Sequence, residues 1–348
     1  MRIFKMAKFK PYKILYLSLI ILEIFNISQH LLYLKFISKN KDFSTAWGAS
    51  FSAPYARSFG LDPKTVLEST LKDFNFNQIR LMSFWEDVQA KGPEQFNFSE
   101  LDWQLNLVES YGKKATVALG LRQPRWPECH EPEWAKQMNY SAGWESKLNN
   151  FITKTVERYK NRSSVVSWQL ENESKLKTFG DCNELTLNPP RIEKEFQLVK
   201  SLDSTRPIIM STSDQYGLPI KKPTPDLYGF SIYKTVTVPE INIKFSYPQQ
   251  PIWHGARAEL INLIQNKDVF IHELQCEPWG SKPIDKLSID EQNETMSPAQ
   301  LKYNLNYARA IGTKQIDVWG VEWWYWRQIK FNDSSILDAA KKTINNYE

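Results

Sequence analysis

Residues Val165 to Glu173 read V-V-S-W-Q-L-E-N-E. β-Branched and large apolar residues suit a parallel strand covered on both faces, and the abrupt change to Glu-Asn-Glu suits a strand whose carboxyl end opens onto a site. A second stretch, Val269-Phe270-Ile271-His272-Glu273, again runs apolar residues into a glutamate, 100 residues after Glu173. A closed eight-unit barrel of about 250 residues takes about 31 residues per β-plus-α unit, so that separation is about three units. The two stretches fit strands 4 and 7 of a (β/α)8 barrel.

Working outward, the sequence predicts further strands at Thr45 to Phe51, Gln78 to Met82, Ala115 to Gly120, Pro207 to Ser211, Leu227 to Tyr233 and Gln315 to Trp319. Asp62-Pro63 opens a helix as N-cap and first-turn proline, Ser297-Pro298 opens another, and Gly112 and Gly312 stop two. A Tyr- and Pro-rich excursion separates strand 6 from a helix at about Trp253 to Gln265. Eight strands alternating with helices argue for an α/β fold with a closed parallel sheet, a TIM barrel. An open doubly wound sheet is the second choice, and no G-x-G-x-x-G follows the first strand. No Gly/Ser/Pro linker or repeat divides residues 43–348, so a single domain is expected there.

The chain has 348 residues with a formal charge of +5, but that balance is local. Residues 1–41 carry eight basic side chains and one acid, which leaves the remainder at a net −2. A near-neutral body without a basic block has no electrostatic footprint for nucleic acid. Residues 1–42 form a basic and apolar segment: basic residues to Lys13, then an apolar core from Ile14 to Phe25. That core has the length of a secretory signal, yet no A-x-A site follows, and apolar character resumes at Leu31 to Ile37 after Asn26, Ser28, Gln29 and His30. Export is expected, with an uncleaved membrane anchor ahead of cleavage and a soluble protein with an amphipathic arm as the alternative.

Cys129, Cys182 and Cys276 lack metal-ligand spacing. Cys129 and Cys182, in loops after neighbouring strands 3 and 4, are the candidate disulfide, with both free as the alternative. There is no G-x-S-x-G, H-E-x-x-H or P-loop, and four histidines form no ligand cluster at helical spacing. Neither metal nor cofactor is expected. What remains is a pair of carboxylates, which glycoside hydrolysis requires: one protonated to serve the leaving oxygen, one ionised to attack or to activate water.

Trp168-Gln169-Leu170-Glu171-Asn172-Glu173 together with Ile271-His272-Glu273-Leu274-Gln275 resembles the Asn-Glu and later Glu of clan A glycoside hydrolases, family 5-like or related retaining (β/α)8 glycosidases. The run from Ile79 to Gly120 resembles strands 2 and 3 of that clan, and the likeness covers about residues 45–325. The resemblance implies that Glu173 is the general acid/base, Asn172 the partner of the sugar 2-hydroxyl and Glu273 the nucleophile. It implies that Arg80 holds the nucleophile ionised, that Tyr233 orients it, and that Trp319 or Trp323 is the platform under the reacting sugar. Loop tryptophans such as Trp126 and Trp279 offer further sugar-stacking faces. Each of these side chains also has a structural reading, as a barrel ion pair or packed aromatic. Glu171 and Glu277 are rival carboxylates, and Asn172 sets the register in favour of Glu173.

The sequence departs from the clan pattern at Ser174, where many relatives have Pro, and at His272, where Thr or Ser is frequent. A counterpart of the strand 3 His of family 5 cellulases is also missing, so the likeness is to the clan rather than to one family. The expectation is a retaining glycoside hydrolase acting on a β-linked oligo- or polysaccharide. The alternatives are a barrel that binds glycan without hydrolysing it and a transglycosylase.

Overall fold

The computed structural model describes residues 11–176, 180, 188–213, 217–220, 222–238, 241 and 243–345. Eight parallel strands close into a barrel: β1 (Ala46–Phe51), β2 (Gln78–Met82), β3 (Lys114–Leu119), β4 (Val165–Leu170), β5 (Ile208–Ser213), β6 (Leu227–Ile232), β7 (Asp268–Gln275) and β8 (Gln315–Trp319). Each strand pairs with its neighbours in sequence, and β1 pairs with β8 to close the ring. The expected barrel is therefore present, with every expected strand in place to within a few residues.

The helices follow from their capping residues. The helix Pro63–Asp73 begins where the Asp62 side chain accepts from Thr65 N at 2.9 Å, and Pro298–Ile311 begins at Ser297 and ends on Gly312 in the left-handed region. Their apolar faces cover the outside of the strands, so the main core lies between barrel and helices. Inside the barrel the packing is polar. Asp317 receives the side-chain amides of Gln78 at 3.2 Å and Gln315 at 2.6 Å, and its Oδ2 lies 2.8 Å from His272 Nδ1. His272 Nε2 in turn lies 3.0 Å from Gln169 Oε1, which also accepts from Arg80 Nη1 at 3.2 Å. Asp317, His272, Gln169 and Arg80 are buried, and a buried polar group left unpaired would lose its hydration without compensation.

Three features were not read from the sequence. The excursion after β6 is an antiparallel hairpin, Thr235–Val238 paired with Ile243–Ser246. A helix, Val321–Phe331, directly follows β8, and no helix lies between β5 and β6 among the described residues. The leader forms one continuous helix, α1 (Pro11–Asn40), which runs through the polar break at Asn26 to His30. That segment contains neither Gly nor Pro, so nothing in it stops a helix. Residues Leu15–Asn40 of α1 are long and apolar enough to cross a membrane. The end of α1 is docked on the barrel helix α2 (Pro251–Gln265), with Lys39 Nζ donating to both oxygens of the buried Glu259 at 2.7 and 2.8 Å. Cys129 is disulfide-bonded and Cys276 is a buried free thiol, while Cys182 lies outside the described residues.

Candidate active site

Glu273 owes its direction to an irregularity in β7. Residues of a regular strand alternate between its two faces, which would send His272 and Glu273 opposite ways. In β7 the ladders to both β6 and β8 shift register across this point, so β7 carries one extra residue there. Such a bulge re-aims side chains. His272 then contacts Asp317 and Gln169 inside the barrel, while Glu273 stands above it and accepts from Arg80 Nη2 at 2.7 Å and from Tyr233 Oη at 2.5 Å. Arg80 is itself buried and held by Ser50 Oγ at 2.7 Å. Burial first, then the charge of Glu273, pushes the Tyr233 phenol well above its ordinary range, so it remains a donor.

Glu173 is held differently. β4 ends at Leu170, and the chain then turns with Glu171 at φ 53° and Glu173 at φ 41°. Non-glycine residues in this region carry about 1–3 kcal/mol of strain each and persist only where surrounding bonds enforce them. Those bonds are present. The Glu171 carboxylate accepts from Leu121 N and Arg122 N, both at 2.9 Å, and from Arg191 Nη1 at 2.9 Å, which commits it to holding the turn. Asn172 accepts from Ser211 Oγ at 2.9 Å and donates to Glu128 Oε2 at 3.0 Å, and Glu173 N donates to Ser211 Oγ at 2.8 Å. The Glu173 carboxyl is buried, and burial, followed by the charges of Glu273 and Glu128, raises its pKa to about 8.

Both carboxyl groups open into one cavity of about 1020 Å³ at the carboxyl ends of the strands. Its wall includes Asn172, Arg125, Trp126, Tyr233, Trp279 and Trp319. Trp319 lies under the Arg125 guanidinium at 3.8 Å, and Trp279 meets the Tyr233 ring edge-on at 5.2 Å. Trp126, also on this wall, is 68% exposed. A protonated acid and a donor-held carboxylate facing one cavity can perform paired acid and nucleophile chemistry.

Comparison with known proteins follows the same line. The family model for glycosyl hydrolases family 2, TIM barrel domain, matches residues 113–253, a stretch that includes Glu173 and stops short of Glu273. Among solved structures, a GH5_18 protein from Streptomyces cattleya in complex with GlcNAc superposes with a TM-score of 0.60 at 9% identity, over 88% of this chain and 82% of that one. Xylanase10C from Cellvibrio japonicus, in complex with xylopentaose, superposes with a TM-score of 0.54 at 14% identity, over 88% and 68%. The GH5_18 protein from Bifidobacterium longum subsp. longum gives 0.58 at 9% identity, over 79% and 69%. No curated protein matches the sequence. The chain resembles the TIM-barrel glycoside hydrolases. Identities this low establish the fold and nothing finer.

Within this glycosidase-like barrel, the expected site residues separate into three groups. Glu173, Glu273, Asn172, Tyr233, Trp126, Trp279 and Trp319 line the cavity, and Arg80 lies beneath Glu273. Trp323 does not belong with them. Its indole is fully buried and donates to Gln292 Oε1 at 3.0 Å, so of the two candidate platforms only Trp319 faces the cavity. The reason is that β8 ends at Trp319 and Trp323 already lies in the next helix, on its packed side.

Two groups of residues escaped the sequence reading. Glu128 enters the cavity wall, where burial, opposed by Arg122, raises its pKa to about 7. Arg125 bridges Glu277 and Glu322, at 2.5 and 2.9 Å, and covers the Tyr55 ring at 3.6 Å. The rival carboxylate Glu277 is thus engaged by a buried arginine, although it does face the cavity. The long Pro- and Trp-rich loop after β3 was a visible signal, since long loops in compact domains are usually functional. Which of its charged residues turn inward was not. Among the described residues no group of three His, Cys, Asp or Glu side chains could hold a metal ion.

Proposed function

We propose that this protein is a retaining glycoside hydrolase that cleaves β-linked oligo- or polysaccharide by double displacement. Residues 43–348 form the catalytic barrel and residues 1–42 an anchor that keeps it exported and bound to a membrane. The observation that carries the reading is the opposite setting of two carboxyl groups on one cavity. Glu173 is buried beside two other acids and stays protonated up to about pH 8, as a general acid must. Glu273 has donors on both oxygens and is available as a carboxylate nucleophile. In the first step Glu273 attacks the anomeric carbon while Glu173 gives its proton to the departing oxygen. In the second step Glu173 takes a proton from water, which attacks the same carbon and releases Glu273. In this reading Asn172 meets the sugar 2-hydroxyl and Trp319 lies under the ring, and both line the cavity.

The test is turnover of a panel of aryl β-glycosides by the purified chain, with the anomer of the first product followed by NMR. The expected product is the β-anomer, and a crystal structure should place the carboxyl groups about 5 to 5.5 Å apart. An α-anomer, or a separation in the range of about 6.5 to 9.5 Å, would make the enzyme inverting and Glu273 a base. No turnover across the panel would leave a glycan-binding barrel.

A further inference from the structure

The direction of α1 sets which end of the barrel meets a membrane. α1 runs alongside α2 in the same sense: the Phe25 ring lies 6.4 Å from that of Trp253, and Lys39 binds Glu259 and Asn262 further down. Asn40 then donates to Gly312 O at 2.9 Å, at the amino end of β8. α2 descends from the catalytic rim, because it ends at Gln265 and hands over to β7, which climbs back to Glu273. α1 therefore leaves the molecule at the catalytic end.

Its length leaves no slack. Residues Leu15 to Ser28 are exposed throughout, and the Tyr33 hydroxyl donates to Ala310 O on the barrel. At 1.5 Å per residue, Leu15 to Tyr33 measures about 27 Å, against a hydrocarbon core of about 30 Å. Only about 15 Å of that lies above Phe25, where contact with α2 begins. α1 is one continuous helix, so a bilayer that it crosses must reach down past Phe25 and meet the catalytic rim and the start of α2.

The rim is built for such a neighbour. In the hairpin after β6, Val236 and Val238 line the cavity, whereas every residue of the outer strand Ile243–Ser246 is exposed. Ile241, Ile243 and Phe245 are 62%, 57% and 45% exposed. Single exposed apolar residues are ordinary, but three stand on this one hairpin, which ends five residues before α2 begins.

We propose that the partner of the catalytic rim is the lipid bilayer that holds α1, and that the cavity takes the saccharide headgroup of a membrane lipid. A headgroup standing in the membrane plane enters such a mouth directly, whereas a long soluble polysaccharide would have to thread between rim and bilayer. The orientation rests on geometry alone, while the substrate rests on the glycosidase reading above.

The experiment uses the full chain in phosphatidylcholine vesicles containing brominated lipid. An environment-sensitive dye is attached to Ile243→Cys or Phe245→Cys, and for comparison to Lys114→Cys at the opposite end of the barrel. Quenching is expected at 243 and 245 and not at 114. Unquenched rim labels, a quenched label at 114, or recovery of a mature chain lacking α1 overturns the orientation. In the same vesicles, a dialkylglycerol β-glycoside should exceed the matching soluble aryl glycoside in kcat/KM by about tenfold or more through local concentration. Replacing Ile243 and Phe245 by Ser should reduce that advantage, with α1 still holding the chain in the bilayer, and leave soluble turnover unchanged. Equal kcat/KM with the rim labels quenched overturns the lipid substrate, and would point to glycans on membrane proteins. Failure of both glycosides with the labels quenched overturns the glycosidase reading and leaves the orientation standing.

Discussion

The two carboxylates reach one cavity from opposite kinds of structure. Glu273 sits on a barrel strand and is braced from below, where Arg80, Gln169, His272 and Asp317 form a continuous polar stack on the barrel axis. Glu173 sits on a strained turn beyond the end of β4, positioned through its backbone by Ser211 and through its neighbours Glu171 and Asn172. One side chain is surrounded by donors, the other by burial and further acids. The contrast is the one that the two proposed roles require: neighbouring barrel strands supply fixed counter-charge to one carboxyl, and a turn beyond a strand end supplies desolvation to the other.

The sharpest way to break this comparison is to delete each carboxyl. Glu273→Ala removes the only group proposed to form the glycosyl-enzyme, so turnover of every substrate should fall by at least about 10⁴-fold, however good the leaving group. Glu173→Ala should cost about 10² to 10⁴-fold on substrates whose leaving group needs a proton, and least on activated aryl glycosides. Azide should rescue Glu173→Ala as the β-azide and Glu273→Ala as the α-azide, because each anion enters where the missing group stood. Exchange of those two products would exchange the roles.

A smaller effect concerns pH. With Glu173 titrating at about 8, kcat/KM should hold below that pH and fall above it, as the acid loses its proton. Glu128, at about 7, is ionised over the upper part of this range and opposes ionisation of Glu173. Glu128→Gln removes that charge, so the alkaline limb should move to lower pH while the α/β outcome of azide rescue is unchanged. An unmoved limb would assign it to another group.

The smallest effects should come from the aromatic walls. Trp319→Ala and Trp279→Ala each remove a ring from the cavity, and a stacking contribution of about 0.5 to 1.5 kcal/mol corresponds to up to about tenfold in kcat/KM. Trp323→Phe, buried away from the cavity, should leave kcat/KM within about twofold and instead lower Tm. A kinetic loss at Trp323 as large as that at Trp319 would return it to the site.

Much of this protein was readable in one dimension because the relevant signals are local. Apolar runs at Val165 to Leu170 and Val269 to Ile271, cap pairs such as Asp62-Pro63, and Asn172 beside Glu173 depend on neighbours in sequence, and they suffice for eight strands and two candidate carboxylates. Only the tertiary structure could decide the rest. Whether Glu128 and Arg125 turn into the cavity depends on residues as distant as Asn172, Glu277 and Glu322, and a loop sequence carries no record of such partners. Trp319 and Trp323 are four residues apart and look alike in sequence, yet a strand end and a helix face send one to the cavity and the other to the core. The bulge that lets His272 and Glu273 act on the same barrel axis is likewise invisible, because it is a relation between β7 and both of its neighbours rather than a property of β7 itself.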